Sequence, residues 1–87
     1  MTTSHVFDTY ATTAKGRTLH FDVVLDEQNP ELALDYAQQW LQSIGEGDAN
    51  VSLKTCVFCH SAEVPVALRN DIDKRGYAII KMEGCPA

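Results

Sequence analysis

The alternation of apolar and polar residues in TLHFDVVL, residues 18–25, is the feature that most narrows the fold. Every second residue from Leu19 to Leu25 is apolar, and successive side chains of a strand point to opposite faces. The preceding segment HVFDTYATTA, residues 5–14, is rich in β-branched and aromatic residues, which also favours a strand. The short turn Lys15-Gly16-Arg17 between the two segments predicts a β-hairpin.

The hairpin has two registers that fit this turn. A two-residue loop would set Asp8 beside Val23, whereas a three-residue loop pairs Phe7 with Leu25 and separates apolar from polar side chains. We predict the three-residue loop, because a slip of one residue turns every side chain to the other face. The polar face then collects Asp8, Tyr10, Thr12, His20 and Asp22.

The segment NPELALDYAQQWLQSIG, residues 29–45, carries the strongest helical signals. Asn29 is a suitable N-cap, Pro30 stands at the first helical position, and Gly45 is a suitable stop. Apolar residues between them recur at helical spacing, including Trp40. We therefore predict an amphipathic helix that packs its apolar stripe on a sheet.

The remaining segments predict a strand over residues 51–58, a helix that begins near Pro65 and ends before Gly76, and a strand over residues 77–82. The order is β-β-α-β-α-β. It predicts an α/β two-layer sandwich, with a mixed four-stranded sheet and both helices on one face. A length of 87 residues supports one core, so we expect a single domain over residues 1–87.

Charge and targeting signals exclude several classes of function. The formal net charge is -5 and the basic residues are scattered, which argues against a nucleic-acid partner. No apolar run has the length of a membrane span, so we expect no membrane partner. The N-terminal residues lack the pattern of a signal peptide, and we expect a cytoplasmic protein with reduced thiols.

The stretch TCVFCHSAEVP, residues 55–65, contains a C-x-x-C-H motif. If both strand–helix–strand units join parallel strands, then Cys56 and Cys59 end the third strand and Cys85 follows the fourth at the same sheet edge. His60 adjoins Cys59, and His5 begins the antiparallel first strand at that edge. We predict a zinc-type metal site with Cys56, Cys59 and Cys85 as ligands and His60 or His5 as the fourth.

Two alternatives to the metal site remain open. The Cys56/Cys59 pair at a strand end could serve a thiol redox protein or sensor, because a following helix N-terminus favours a thiolate. The cysteines could equally be buried residues without chemistry, since free cysteine packs as a small hydrophobe.

The two faces of the sheet raise separate hypotheses. Asp8, His20 and Asp22 could form a carboxylate–histidine site for proton transfer or a hard metal, but we favour a solvated face. Two helices on one face would leave Val6 and Val24 exposed on the other. Such a patch predicts a non-catalytic interaction module or a homodimer formed through the open sheet face.

Four segments, HVFDTY, LHFDV, CVFCH and GYAIIKMEGC, together resemble a family of small bacterial proteins known as a domain of unknown function. The resemblance covers nearly the whole chain and implies a compact cytoplasmic α/β domain, with no activity that can be transferred. The matching positions that could carry chemistry are His5, Asp8, Tyr10, His20, Asp22, Cys56, Cys59, His60, Glu83 and Cys85.

Overall fold

A computed structural model describes residues 3–84 of the protein. The predicted order of elements and the α/β class are confirmed. The elements are β1 (Ser4–Thr12), β2 (Thr18–Leu25), α1 (Pro30–Ser43), β3 (Cys56–Ala62), α2 (Val66–Arg75) and β4 (Tyr77–Lys81).

The four strands form one sheet in the order β3-β1-β2-β4, and each strand is antiparallel to its neighbours. The prediction of a mixed sheet is therefore wrong. Strand β3 runs in the direction of β2, as predicted, but β4 runs against both. The reason lies in the strand ends: Ala62 at the end of β3 pairs with Ser4, and Tyr77 at the start of β4 pairs with Leu25. The end of β3 and the start of β4 therefore lie at the same end of the sheet, on its two edge strands. Helix α2, which joins them, crosses the sheet at this end.

The hairpin of β1 and β2 has a register two residues away from the predicted one. His5 lies opposite Leu25, and the pairing continues to Thr12 opposite Thr18. The paired strands end at Thr12 and Thr18, and within the loop that joins them the Thr13 N–H donates to the Arg17 carbonyl at 2.8 Å. A shift of two residues preserves the faces, so the predicted polar face forms.

Helix α1 covers the face of the sheet that carries Phe7, Phe21 and Val23. Its start agrees with the sequence signals, since Asn29 Oδ1 accepts hydrogen bonds from the N–H groups of Glu31 and Leu32. On this face the ring centroids of Phe21 and Trp40 are 4.5 Å apart. The larger hydrophobic core of the protein lies between α1 and the sheet.

Helix α2 covers the opposite face, so the prediction that both helices share one face is wrong. Ile72 packs there with Val6, Val24 and Ala78 in a second, smaller core. Val6 and Val24 are buried, not exposed as predicted. The physical reason is that β1 and β2 carry apolar residues on both faces at this end, and each apolar surface requires a covering layer. The homodimer stays a prediction, although these two valines cannot contribute to it.

Arg69 ties α2 to the end of the hairpin. Its guanidinium donates to both carboxylate oxygens of Asp26, at 3.0 and 2.6 Å, and the Ser4 hydroxyl donates to the same carboxylate at 2.9 Å. Arg69 is the main cause of the lowered pKa of Asp26. The bidentate pair holds α2 over one end of the sheet face and away from the other.

Strand β3 begins at Cys56, five residues later than predicted. The residues before it form a turn, in which the Thr55 N–H donates to the Ser52 carbonyl at 3.0 Å and Thr55 Oγ1 accepts from the Ser52 N–H. A bulge then interrupts the pairing of β3 with β1: Phe58 lies opposite Phe7 and His60 lies opposite Val6. Cys59 is the extra residue on the β3 side of this bulge.

Truncation of the second core tests the two-faced architecture. We expect Ile72→Ala to lower the free energy of unfolding by about 2–5 kcal/mol, because it removes buried methylene groups and leaves a cavity. Val66→Ala on the same helix is the matched control, since Val66 is 76% exposed. Urea denaturation of both variants gives the comparison, and an equal effect of the two substitutions would contradict the position of α2.

Candidate metal centre

Cys56 lies in the core beneath α1 and is 1% exposed. The Thr9 hydroxyl donates to its Sγ at 3.4 Å. Burial raises the pKa of the Cys56 thiol, which disfavours the thiolate that metal binding or thiol exchange needs. Within the described fold, Cys56 is a core residue.

Cys59 is exposed, and its Sγ lies 3.3 Å from Nδ1 of His60. Three residues of extended chain span roughly 10 Å, so Cys56 and Cys59 do not form the tight turn that a zinc knuckle uses. His5 is hydrogen-bonded through Nδ1 to Ser61 Oγ at 2.7 Å. The fold therefore brings Cys59 together with His60, but not with Cys56.

Cys85 lies outside the described residues. The last described strand, β4, ends with Lys81 opposite Phe21, whereas β3 ends with Ala62 opposite Ser4, so the two C-terminal ends lie toward opposite ends of the sheet. The topological reason for expecting the three cysteines at one edge therefore does not hold. Zinc binding by Cys56, Cys59 and Cys85, and the redox alternative, stay predictions.

A different group of ligands converges on the sheet face that α2 leaves uncovered. Asp8 and Asp22 lie directly opposite each other on β1 and β2, and His20 lies opposite Tyr10 in the next pair. His20 Nε2 is 2.5 Å from Asp8 Oδ1. One ligand atom from each of Asp8, His20 and Asp22 lies within 4.8 Å of the other two, which makes these three the candidate metal centre among residues 3–84.

Asp22 has the most perturbed environment of the three. It is 7% exposed, and its pKa is raised from 3.8 to about 6. Burial is the largest cause, followed by a side-chain hydrogen bond with Asp8 and by the charge of Asp8, while His20 and His60 act in the opposite direction. A hydrogen bond between two carboxyl groups requires that one of them keeps its proton. When both Asp8 and Asp22 lose their protons, two negative charges face each other and repel.

Two contacts fix the position of His20. Its ring stacks on Tyr10, with centroids 4.2 Å apart and planes 9° from parallel. Its backbone N–H donates to the Glu83 carbonyl at 2.9 Å, and its carbonyl accepts from the Met82 N–H at 3.0 Å. The imidazole is thus held between an aromatic ring and a carboxylate, as a metal ligand or an acid–base residue would be.

The fold defines the class of protein: a small α/β domain with one antiparallel sheet, and Asp8, His20 and Asp22 cluster on the part of one face that α2 leaves uncovered. The chain belongs to the family described as a domain of unknown function, DUF2024, whose model matches residues 1–82. The resemblance stated from the sequence is therefore confirmed.

A solved structure extends this comparison. The chain is similar to protein NE1680 from the bacterium Nitrosomonas europaea, a structural genomics target whose structure was determined by NMR. The two are 44% identical, the match covers 97% of this chain and 99% of that chain, and the TM-score is 0.86. No curated protein matches the chain. Among residues 3–84, no helix is both long and apolar enough to cross a membrane.

Sequence reasoning placed Asp8, His20 and Asp22 on one face but favoured a solvated surface for them. The signal that could have indicated the cluster is Asp22 in HFDVVL, an acidic residue with apolar neighbours before and after it in the strand. Such a position is buried when both faces are covered, and a buried carboxyl group needs a partner. A facing Asp8 in the correct register is an unfavourable partner, which marks the pair as unusual.

The two described cysteines should differ sharply in reactivity. We expect a thiol reagent to modify Cys59 quickly in the folded protein and Cys56 only after unfolding, because Cys56 is buried. Mass spectrometry of peptides after timed alkylation, with a urea-unfolded sample as control, gives both rates. Equal rates for the two thiols in the folded protein would place Cys56 outside the core.

The raised pKa of Asp22 makes stability depend on pH. Between pH 4 and 6 the folded protein binds more protons than the unfolded chain, so the free energy of unfolding falls as pH rises through this window, by up to about 3 kcal/mol. Asp22→Asn should remove this contribution and be more stable than the parent protein at pH 7. Urea denaturation of both proteins across this range tests it, and the same slope in both would contradict the assignment.

Proposed function

We propose that this protein is a metal-binding domain that holds one divalent cation of the zinc class at Asp8, His20 and Asp22. The observation that carries the proposal is the convergence of two carboxylates and one imidazole within 4.8 Å. Cross-strand pairing sets this geometry, because Asp8 and Asp22 are opposite residues of one hairpin and His20 is two positions from Asp22.

The charges of the cluster support a cation as the occupant. Facing carboxylates on neighbouring strands repel each other when both are ionised. A shared proton relieves the repulsion, and a divalent cation would relieve it more completely because it neutralises both charges. His20 Nε2 and Asp8 Oδ1 are 2.5 Å apart, so a small separation of the two side chains would let one ion contact both atoms.

The mixture of ligand atoms selects the class of ion. Carboxylates alone suit Mg²⁺ and Ca²⁺, whereas an imidazole favours zinc and other transition metals. Zinc accepts nitrogen and carboxylate oxygen together, and three protein ligands leave a position open to a further ligand. Asp8 and His20 are partly exposed, so an ion could enter from solvent.

The thiolate-rich site predicted from the sequence is the alternative location for zinc. The contact between Cys59 and His60 keeps two of its candidate ligands together. The two sites use different side chains, so substitutions separate them. A Cys59→Ser variant tests the thiolate site and leaves the carboxylate–histidine cluster intact.

Titration of the metal-free protein with Zn²⁺ by calorimetry tests the proposal. We expect about one ion per chain, and we expect Asp22→Asn to weaken binding at least about 10-fold, since a ligand oxygen and its charge are lost. Asp71→Asn is the matched control, because Asp71 lies on α2 and pairs with Arg75. Asp22→Asn should be well folded, so lost affinity cannot be attributed to unfolding.

Two results would overturn the proposal. One is the absence of Zn²⁺ binding to the parent protein. The other is binding that Asp22→Asn leaves unchanged and Cys59→Ser abolishes, which would assign the ion to the thiolate site.

A further inference from the structure

Strand β3 is an edge strand of the sheet, and its outer side pairs with no other strand of the described fold. The Tyr10 N–H donates to the Thr55 carbonyl at 2.8 Å, so the backbone groups of Thr55 face β1. Successive residues of a strand direct their N–H and C=O groups to alternate sides. Cys56 and Phe58 therefore present these groups at the open edge of the sheet.

The side chains of β3 lack the features that usually protect an edge strand. Charged residues and proline on an edge strand hinder pairing with another chain. Strand β3, with the sequence CVFCHSA, contains no Asp, Glu, Lys, Arg or Pro, whereas each of the other three strands contains a charged residue. Val57 and Phe58 are 54% and 38% exposed. The edge is therefore both uncharged and apolar.

The bulge at Cys59 limits the regular part of this edge. Bulges bend an edge strand and so hinder pairing beyond them. Residues 56–58 precede the bulge and stay in regular register with β1, ending with Phe58 opposite Phe7. The rings of these two residues are 5.7 Å apart in an edge-to-face contact, which holds the segment on the sheet. Residues 56–58 are therefore available for pairing.

Strand β4, at the other edge of the sheet, is protected. It is five residues long, and the exposed Lys81 lies at its end. At its start the Arg75 guanidinium lies 4.7 Å from the centre of the Tyr77 ring. A positive charge at each end of β4 disfavours a further strand there. Association through β3 therefore stops at two copies, as in a closed symmetric dimer.

We propose that two copies of this chain pair antiparallel through β3 and form a symmetric dimer with one continuous sheet. A second copy supplies an edge of the same length and the same lack of charge, so no like charges meet although each chain has a net charge of -5. Pairing of Cys56 in one copy with Phe58 in the other satisfies the outward backbone groups of both residues. This pairing places the two Val57 side chains next to each other.

The interface at β3 differs from the open sheet face predicted from the sequence. Rotation about the twofold axis of this dimer keeps the faces of the sheet, so the two candidate metal centres lie on the same side and stay uncovered. The proposed dimer does not require a bound ion.

Analytical ultracentrifugation of the metal-free protein over a range of concentrations tests the proposal. We expect a dimer, and we expect Val57→Lys to weaken association at least about 10-fold, because two ammonium groups meet across the twofold axis. Each variant chain stays folded, since position 57 is exposed and a lysine there lies opposite Asp8. Val66→Lys is the matched control, because Val66 is 76% exposed on α2 and should leave association unchanged.

Hydrogen exchange of the Phe58 amide gives a second readout that needs no substitution. We expect exchange of this amide to slow as the protein concentration rises, because dimer formation covers the outer side of β3. A parent protein that stays monomeric up to about 1 mM would overturn the proposal. So would assemblies larger than a dimer, or a dimer that Val57→Lys leaves intact and in which the Phe58 amide exchanges at an unchanged rate. None of these results bears on Zn²⁺ binding, so the dimer and the metal site fail independently.

Discussion

The antiparallel pairing of β1 with β2 is the constraint on which the other elements depend. Its register places Asp8 opposite Asp22 and Phe7 opposite Val23, so it assigns every side chain of the hairpin to one of two faces. One face is mainly apolar, although it includes the buried Thr9, and it receives α1. The other is apolar only near Val6 and Val24 and polar beyond them, so one helix covers its apolar end and the carboxylate–histidine cluster occupies the rest.

The path of α2 explains why the cluster is accessible. Because β3 ends and β4 begins at the same end of the sheet, the connecting helix crosses the strands there, and the pair of Arg69 with Asp26 holds it in place. A helix that joined parallel strands would run back along the sheet and cover Asp8 and His20. The reversal of β4 therefore matters for function as well as for topology, since it leaves two ligands partly exposed while Asp22 is buried.

Local signals predicted the parts of this fold that local interactions determine. The alternation in β2 gave the faces of the hairpin, and Asn29, Pro30 and Gly45 gave the bounds of α1 to within a residue or two. The direction of β4 and the face that α2 covers depend on pairings between distant strands, which no local pattern contains. Sequence reasoning gave little weight to the carboxylate–histidine cluster for a related reason: C-x-x-C is conspicuous in a sequence, whereas the Asp8–Asp22 contact is recognised only when the hairpin register is known.

The most direct test of the account is a crystal structure of the protein grown with Zn²⁺, with diffraction measured on both sides of the zinc absorption edge. The account predicts one strong anomalous peak about 2.0–2.2 Å from carboxylate oxygens of Asp8 and Asp22 and from a ring nitrogen of His20. A peak bonded to Cys59 and distant from Asp22, or no ordered zinc on this face, would contradict it.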